Sequence, residues 1–469
     1  MSVTPAAPRL PPPSIVVFPC HAPSLSGHAQ RRPAGQYRRW NGLHPVHRRR
    51  LSCRHPQCCF QHIGIRTGSR TMALLAAKTQ RVLATGVYSG LAVTALLGAI
   101  ALGNGVRLAL TTPLTAVSSS PQPAVTARID AEPLREVPTG LLGEVAGVAQ
   151  ARDFTLVLGA DGRLWARGLN TRGQLGVGIA QTVVADFLPL PGREYQAVAA
   201  GGSHALALDR HGNLWVWGDD RYGQLGNGQT SHAPQDRPIW IARDIVAIAA
   251  GDRHSLAVRR DGTLLAWGEN RWGEVGNGAQ EVVTTPTPIG QGFASVAAGA
   301  GYSMAIDRKG RLWAWGRGEG GRLGTGDEKD QSRPVQIGEN FSKVTAATAQ
   351  SFAIRRDGTL WAWGSNLLGQ LGDGTREDRL SPVQIGTGFT SVAAGGAHTV
   401  ALKRDGSVWA WGSNGFGQLA DTKLDDQLKP TRVAQGYDFI AAAGGASVLA
   451  RRNGVLRMAG AGPAPSLRP

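Results

Sequence analysis

A motif of about fifty residues recurs seven times in this 469-residue chain, and its period is the strongest constraint on the fold. Every copy contains a glycine in a predicted tight turn, and consecutive glycines are 48 or 50 residues apart. These glycines are Gly162, Gly212, Gly262, Gly310, Gly358, Gly406 and Gly454. A fixed period of this length is typical of propellers and solenoids, in which each unit buries its apolar face against the next unit.

Each copy of the motif reads as four strands. A strand of small residues such as 392–395 is followed by an alternating strand such as 398–402 and by a tight turn, Asp405-Gly406 in this copy. The glycine supplies the positive φ of a two-residue hairpin. The third strand ends in Trp-x-Trp-Gly, a Gly-Gln-Leu-Gly loop follows, and the fourth strand contains a proline, which suits an outer edge.

The tryptophans of the third strand are predicted to be structural. Period two places both indoles on one face of the strand and a small residue on the other, so that a bulky face meets a slim face between neighbouring units. The copies with both tryptophans contain Trp215, Trp217, Trp313, Trp315, Trp361, Trp363, Trp409 and Trp411.

The unit count predicts a closed ring. Six units with four strands run from about 145 to 436, and a seventh at 437–460 lacks its last strand. The segment 132–137 resembles that missing strand, and its addition to the seventh unit would remove two free edges. We therefore predict an all-β, seven-bladed β-propeller of four-stranded blades over 131–462, closed by residues 132–137, with a short tail at 463–469.

The repeat resembles that of the regulator of chromosome condensation family. Residues 392–419 contain the family pattern from the small strand to the Gly-Gln-Leu loop, and the similarity extends over 132–460. Blade three departs from the pattern at Leu265 and blade seven at Arg457 and Ala459. The resemblance implies a propeller and, as one alternative, regulation of a small GTPase by guanine-nucleotide exchange. The segments before the repeat predict a bacterial-type member, membrane-anchored or exported.

The net charge of +17 comes mostly from the region before the repeats. Residues 1–129 contain fifteen Lys or Arg and no acidic residue, whereas the remainder contains thirty-five basic and thirty-three acidic residues. A nearly neutral propeller is not expected to bind nucleic acid. All four cysteines, Cys20, Cys53, Cys58 and Cys59, also precede the repeats, so the propeller has neither a disulfide nor a thiolate nucleophile.

Residues 1–71 are rich in Arg and Pro, and we predict a disordered tail there. Translation from Met72 is the favoured interpretation, in which case the tail is not part of the protein. An organelle transit peptide and a zinc cluster of Cys53, His55, Cys58, Cys59 and His62 are the alternatives. The cluster matches no common zinc-finger spacing.

Residues 82–103 are free of charge and long enough to cross a bilayer as a helix. Lys78 and Arg81, in the short cytoplasmic segment 72–81, keep the N-terminus in the cytoplasm by the positive-inside tendency. We predict a transmembrane signal-anchor followed by a linker at 104–130. The propeller would then lie on the periplasmic or extracellular side of the inner membrane. A secreted protein after signal cleavage and a buried helix are the alternatives.

A histidine recurs at one position of the second strand, as His204, His254 and His398. A ring of metal ligands would need histidines in adjacent blades, and the third lies three blades from the second. We therefore predict structural rings that hydrogen-bond to the backbone between strands, with no metal.

The loop after the tryptophan strand contains the candidate partner-binding residues. The residues just before its Gly-Gln-Leu-Gly stretch share one register, so they should emerge on one rim. With the neighbouring arginines they are Arg172, Arg221, Tyr222, Arg271, Trp272, Leu368 and Phe416. Aromatic residues and arginine are the usual anchors of protein interfaces. The alternative is that these side chains fold back over their own loops.

No pattern in the sequence supports catalysis, since no carboxylate pair or Ser/His/Asp spacing recurs. We predict a monomeric, non-catalytic propeller without cofactors that binds a protein partner of unknown identity, with membrane contact through residues 82–103. A lectin-like propeller that binds sugars between blades is the alternative from a different class.

Overall fold

The computed structural model describes residues 135–136, 142–420 and 425–461. The predicted tail 1–71, segment 72–81, anchor 82–103 and linker 104–130 lie outside the described residues, as does the tail 463–469. Among the residues that are described, no helix is long and apolar enough to cross a membrane.

The described strands form seven four-stranded antiparallel sheets, each made largely from one sequence repeat. Blade one contains β2 (Val145–Gln150), β3 (Phe154–Gly159), β4 (Leu164–Leu169) and β5 (Val183–Pro189). Blade two contains β6 (Tyr195–Ala200), β7 (His204–Asp209), β8 (Leu214–Asp220) and β9 (Ser231–Ala242). Blade three contains β10 (Ile245–Ala250), β11 (His254–Arg259), β12 (Leu264–Gly268) and β13 (Val283–Gly290).

The other blades repeat this order with shorter outer strands than β9. Blade four contains β14 (Phe293–Ala298), β15 (Tyr302–Asp307), β16 (Leu312–Gly316) and β17 (Gln331–Gly338), with a 3₁₀ turn at Glu319–Gly321. Blade five contains β18 (Phe341–Ala346), β19 (Gln350–Arg355), β20 (Leu360–Gly364) and β21 (Arg379–Gly386). Blade six contains β22 (Phe389–Ala394), β23 (His398–Lys403), β24 (Ser407–Gly412) and β25 (Gln427–Gln435).

Blade seven takes its strands from both ends of the repeat region. It contains β26 (Phe439–Ala443), β27 (Ala446–Ala450) and β28 (Leu456–Gly460), with β1 (Arg135–Glu136) as the outermost strand. Arg135 pairs with Met458 and Glu136 pairs with Arg457 in antiparallel register. β2 of blade one contacts β26 of blade seven, so the ring of blades is closed. The predicted seven-bladed all-β propeller is confirmed.

The core lies between successive blades, and the second tryptophan of each repeat fills it. Trp217, Trp267, Trp315, Trp363 and Trp411 have no solvent exposure. The first tryptophan of the motif is more accessible: Trp215 is 9% exposed, and its equivalents in blades four to six are partly buried. The two indoles of one strand therefore differ in environment, which the period-two pattern does not predict.

Candidate partner-binding rim

The strand order divides the connections of the propeller between two ends. Because consecutive strands are antiparallel, the turn after the first strand and the loop after the third strand meet at one end. We call this end the loop rim. Its long loops are residues 170–182, 221–230, 269–282, 317–330, 365–378 and 413–426. The turns between second and third strands lie at the other end, which we call the hairpin face.

The predicted partner-binding residues all lie on the loop rim, but they differ in exposure. Phe416 is 60% exposed and Arg271 is exposed, whereas Arg172, Arg221, Tyr222, Trp272 and Leu368 are partly buried. Leu367, which the register argument missed, is 58% exposed. In blade four the same register holds Gly320, so the series of side chains is interrupted there.

The rim residues lean on the first turn of the following blade and not on their own loops. A Cβ added to Gly301 of blade four would lie 3.2 Å from Cδ1 of Trp272, and one added to Gly445 of blade seven would lie 3.7 Å from Cδ2 of Phe416. Arg253 of blade three lies with its guanidinium carbon 4.5 Å from the ring centre of Tyr222. The exposure of each rim residue therefore depends on the next blade.

Arginines flank the two aromatic residues of blades two and three. Arg271 and Arg317 each lie 4.9 Å from the ring centre of Trp272, a cation–π distance. Arg221 is also paired with a carboxylate, through its Nε 2.8 Å from Oδ1 of Asp219. Carboxylates therefore offset part of the basic charge, and this part of the rim is amphipathic.

The glutamine of the Gly-Gln-Leu-Gly loop fixes the backbone of each rim residue. The backbone N–H of Tyr222 donates to Oε1 of Gln224 at 2.8 Å, and the N–H of Phe416 donates to Oε1 of Gln418 at 2.9 Å. The leucine that follows has no solvent exposure, as at Leu225 and Leu419. A polar clamp above a buried apolar anchor keeps these loops in place, which reduces the entropy lost on binding.

Each loop is also bonded to the next blade. The indole Nε1 of Trp267 donates to the carbonyl oxygen of Gln224 at 2.9 Å, and the hydroxyl of Ser255 donates to the same oxygen at 2.8 Å. The tryptophan bond recurs from Trp217 to Gln174, Trp315 to Glu274, Trp363 to Arg322 and Trp411 to Gln370. The second tryptophan thus connects the core to the loop rim.

The three recurring histidines are fully buried, and their hydrogen bonds differ from the prediction. Nε2 lies 2.9 Å from a serine hydroxyl of the next blade in the pairs His204–Ser255, His254–Ser303 and His398–Ser447. A side chain, not the backbone, is therefore the observed partner, because the serine bridges the ring to the loop carbonyl. Burial lowers the pKa of His254 to about 3 and those of His204 and His398 to about 4.

Two loops replace the glutamine with a charged residue. Glu274 of blade three accepts the N–H of Trp272 at Oε2 (2.6 Å), while its Oε1 is buried without a partner. Burial raises the pKa of this carboxyl to about 7. In blade four, Nη1 of Arg322 donates to the carbonyls of Ala300 and Thr348 and so joins two blades. Within the described residues, no group of three His, Cys, Asp or Glu is arranged to hold a metal.

A cavity of about 400 Å³ lies between blades five and six. Phe389, Trp409, Lys403 and Lys429 line it together with Asp373. Nζ of Lys403 is 4.3 Å from the ring centre of Trp409 and 4.7 Å from that of Phe389, so the ammonium covers both rings. None of the predicted partner-binding residues lines this cavity.

The family pattern extends over most of the chain. The model of the RCC1-like domain matches residues 54–389, and the regulator of chromosome condensation (RCC1) repeat matches residues 389–418 and 405–450. The chain belongs to the RCC1-like domain family. The resemblance inferred from the repeat is therefore confirmed, while the bacterial-type assignment remains a prediction.

Solved structures of this family share the fold. Human WBSCR16 is 22% identical with a TM-score of 0.58, and the match covers 68% of this chain and 87% of that one. Prp20p from Saccharomyces cerevisiae, described with its binding to Gsp1p and histones, is 21% identical with a TM-score of 0.59, over 69% and 83% of the two chains. Yeast RCC1 (Prp20) bound to Kap60 is 22% identical with a TM-score of 0.57, over 67% and 80%. No protein of curated function matches the chain.

Proposed function

We propose that this RCC1-like propeller is a non-catalytic interaction protein that binds a protein partner through its loop rim. The observation that carries the proposal is the exposure of Phe416 and Leu367, 60% and 58%, on loops that buried residues fix from below. Exposed apolar anchors on a fixed backbone are the usual centre of a protein interface. Tyr222 and Trp272, each beside arginines, extend the surface over blades two and three.

The solved relatives support a protein as the class of partner. Prp20p is described as binding Gsp1p and histones, and yeast RCC1 is described in complex with Kap60. At 21–22% identity the likeness is one of fold. The particular partners of those proteins therefore do not transfer to this chain, because propellers of one fold serve many functions.

The proposed place of binding is outside the cytoplasm, with the propeller held by residues 82–103 or secreted after cleavage. The support is the uncharged run of twenty-two residues preceded by Lys78 and Arg81. Protease protection in spheroplasts tests this part: digestion of the propeller is expected. Full protection in intact spheroplasts, with digestion after lysis, would place it inside. Mass spectrometry of the mature N-terminus distinguishes the anchored from the cleaved form.

Site-specific photo-crosslinking tests the rim. A photoreactive phenylalanine analogue at position 416 or 367 is expected to crosslink the same partner, and the analogue at Asn453 on the hairpin face serves as the matched control. The substitution Phe416→Asp should abolish the crosslink from position 367 while the midpoint of unfolding stays unchanged. Equal crosslinking from all three positions, or none from 416 and 367 in cells, would refute the proposal.

A carbohydrate-binding propeller is the second candidate, and the cavity between blades five and six is the observation that favours it. A half-buried tryptophan beside two lysines suits a sugar that carries a carboxylate. Binding on a glycan array that is lost in Trp409→Ala and kept in Phe416→Asp would select this candidate. Nucleotide exchange on a small GTPase is the family-based alternative, and accelerated release of labelled GDP would select it.

A further inference from the structure

An arginine precedes the turn in six of the seven hairpins of the hairpin face. Each lies two residues before the turn glycine, and all six are exposed: Arg210, Arg260, Arg308, Arg356, Arg404 and Arg452. Because they occupy the same position of the same hairpin in successive blades, they lie at one height around the ring. Blade one, which has Ala160 at this position, forms the gap.

These arginines reach across to the neighbouring hairpin. Nη2 of Arg308 donates to the carbonyl of Arg260 at 2.9 Å, and Nη2 of Arg210 donates to the carbonyl of Asp161 at 3.3 Å. A Cβ added to Gly310 would lie 3.2 Å from Nη2 of Arg356. Adjacent guanidinium groups are thus one arginine side chain apart, and the ring is a continuous basic surface.

Few carboxylates neutralise this ring. Arg210 pairs with Glu194 at 3.1 Å, with both side chains more than half exposed, and within the described residues the other five arginines form no ion pair. The hairpin carboxylates bind their own turns: Asp261 accepts from Thr263 and Asp357 accepts from Thr359. The arginines are therefore available to an external anion.

The two ends of the propeller differ in charge. The hairpins contain ten Lys or Arg and four Asp, and the long loops of the rim contain eight Lys or Arg and thirteen Asp or Glu. When the remaining connections at each end are included, the counts are twelve basic and nine acidic residues at the hairpin face, and ten basic and fifteen acidic residues at the loop rim. The hairpins counted are 160–163, 210–213, 260–263, 308–311, 356–359, 404–406 and 451–455.

We propose that the hairpin face docks on the surface of an anionic lipid bilayer. Six cations at one height form a flat array, and a laterally continuous sheet of headgroup charges meets all of them at once. A nucleic acid duplex, which is a rod, or an acidic peptide segment would meet only some of them. Basic residues near an anionic membrane surface contribute favourably one by one. The acidic loop rim is repelled from the same surface.

Docking by this face would leave the loop rim directed away from the bilayer. The aromatic residues and Phe416 then stay accessible to a partner in solution. The inference does not depend on the identity of that partner, nor on whether residues 82–103 span the membrane. It concerns only which end of the propeller meets the lipid.

Hydrogen exchange of the full chain on vesicles tests the proposal. Vesicles of phosphatidylcholine alone are compared with vesicles that contain about 30 mol% phosphatidylglycerol. Exchange in the hairpin peptides 308–311, 356–359 and 404–406 is expected to slow by roughly threefold or more on the anionic vesicles alone. The loop peptides 269–282 and 365–378 should not change. About 0.5 M NaCl should remove the effect, since the Debye length falls to about 4 Å.

Matched variants separate charge from folding. Replacement of all six ring arginines by glutamine should abolish the protection, replacement by lysine should keep it, and single changes such as Arg356→Gln should weaken it by roughly two- to fivefold. The control variant R172Q/R221Q/R271Q on the loop rim should behave as the unaltered chain. Equal hairpin exchange on both vesicle types, or protection by poly-glutamate but not by anionic vesicles, would overturn the proposal.

Discussion

The packing of loop glycines against the tryptophan of the next blade is open to a direct test. Gly226 and Gly228 lie in the same loop of blade two, with φ of +73° and +93°. A Cβ on Gly226 would lie 2.7 Å from Nε1 and 2.8 Å from Cδ1 of Trp267. A Cβ on Gly228 would have only Cγ2 of Thr285 within reach, at 3.9 Å. The pair therefore separates backbone strain from steric overlap.

Both alanine variants place a side chain in the left-handed region, which costs about 1–2 kcal/mol. Reduced freedom of the unfolded chain offsets about 0.4–1 kcal/mol of this cost. Gly226→Ala must in addition displace Trp267, which is fully buried and bonded to Gln224, and overpacking of this kind costs about 1–3 kcal/mol. We expect a loss of about 2–4 kcal/mol for Gly226→Ala and about 1 kcal/mol for Gly228→Ala.

Urea unfolding followed by tryptophan fluorescence and by far-UV circular dichroism measures the difference, and coincident transitions justify a single free energy. The two variants should unfold at clearly different urea midpoints with similar slopes. If both lost the same stability, the contact between the loop glycine and the tryptophan would not hold the blades together, and the bonding scheme at the loop rim would be refuted.

Three further predictions concern the buried polar residues. The low pKa of His254 (about 3) means that the unfolded chain binds a proton between about pH 6.5 and 3 that the folded chain does not, so stability falls as pH falls through this range; His254→Gln should flatten that slope in urea titrations, and an unchanged slope would contradict the assignment. The raised pKa of Glu274 (about 7) has the opposite sign, so stability falls as pH rises from about 4.5 to 7; Glu274→Gln should raise the melting temperature more at pH 8 than at pH 5, and an equal rise at both would count against a buried carboxyl. Arg322→Met should cost about 2–4 kcal/mol, because the carbonyls of Ala300 and Thr348 lose a donor, whereas the exposed Arg376→Met should cost less than about 1 kcal/mol; equal losses would show that Arg322 does not clamp the blades.

The blade architecture could be predicted because it depends on local signals that repeat. The Asp-Gly turn, the period-two tryptophan strand and the proline strand each require only neighbouring residues, and seven copies define the ring. The outer strand of blade seven is harder to assign, since Arg135 and Met458 are far apart in sequence and pair only when the ring closes.

The candidate site was predictable in position but not in exposure. Register alone places Tyr222, Trp272 and Phe416 on one end of the propeller. It does not detect Leu367, which lies one position earlier, or the effect of Gly320 in blade four. The partner of His254 was also not predictable from its own strand, because Ser303 belongs to the next repeat.

The sequence by itself determined the strands, the turns and the end of the propeller at which each connection emerges, because backbone sterics and side-chain alternation act over a few residues. Only the tertiary structure decided which rim residues are accessible. Arg253 of the next blade covers Tyr222, whereas the next blade presents Gly445, which has no side chain, to Phe416. Exposure is a property of two blades in contact, and that contact exists only once the ring has formed.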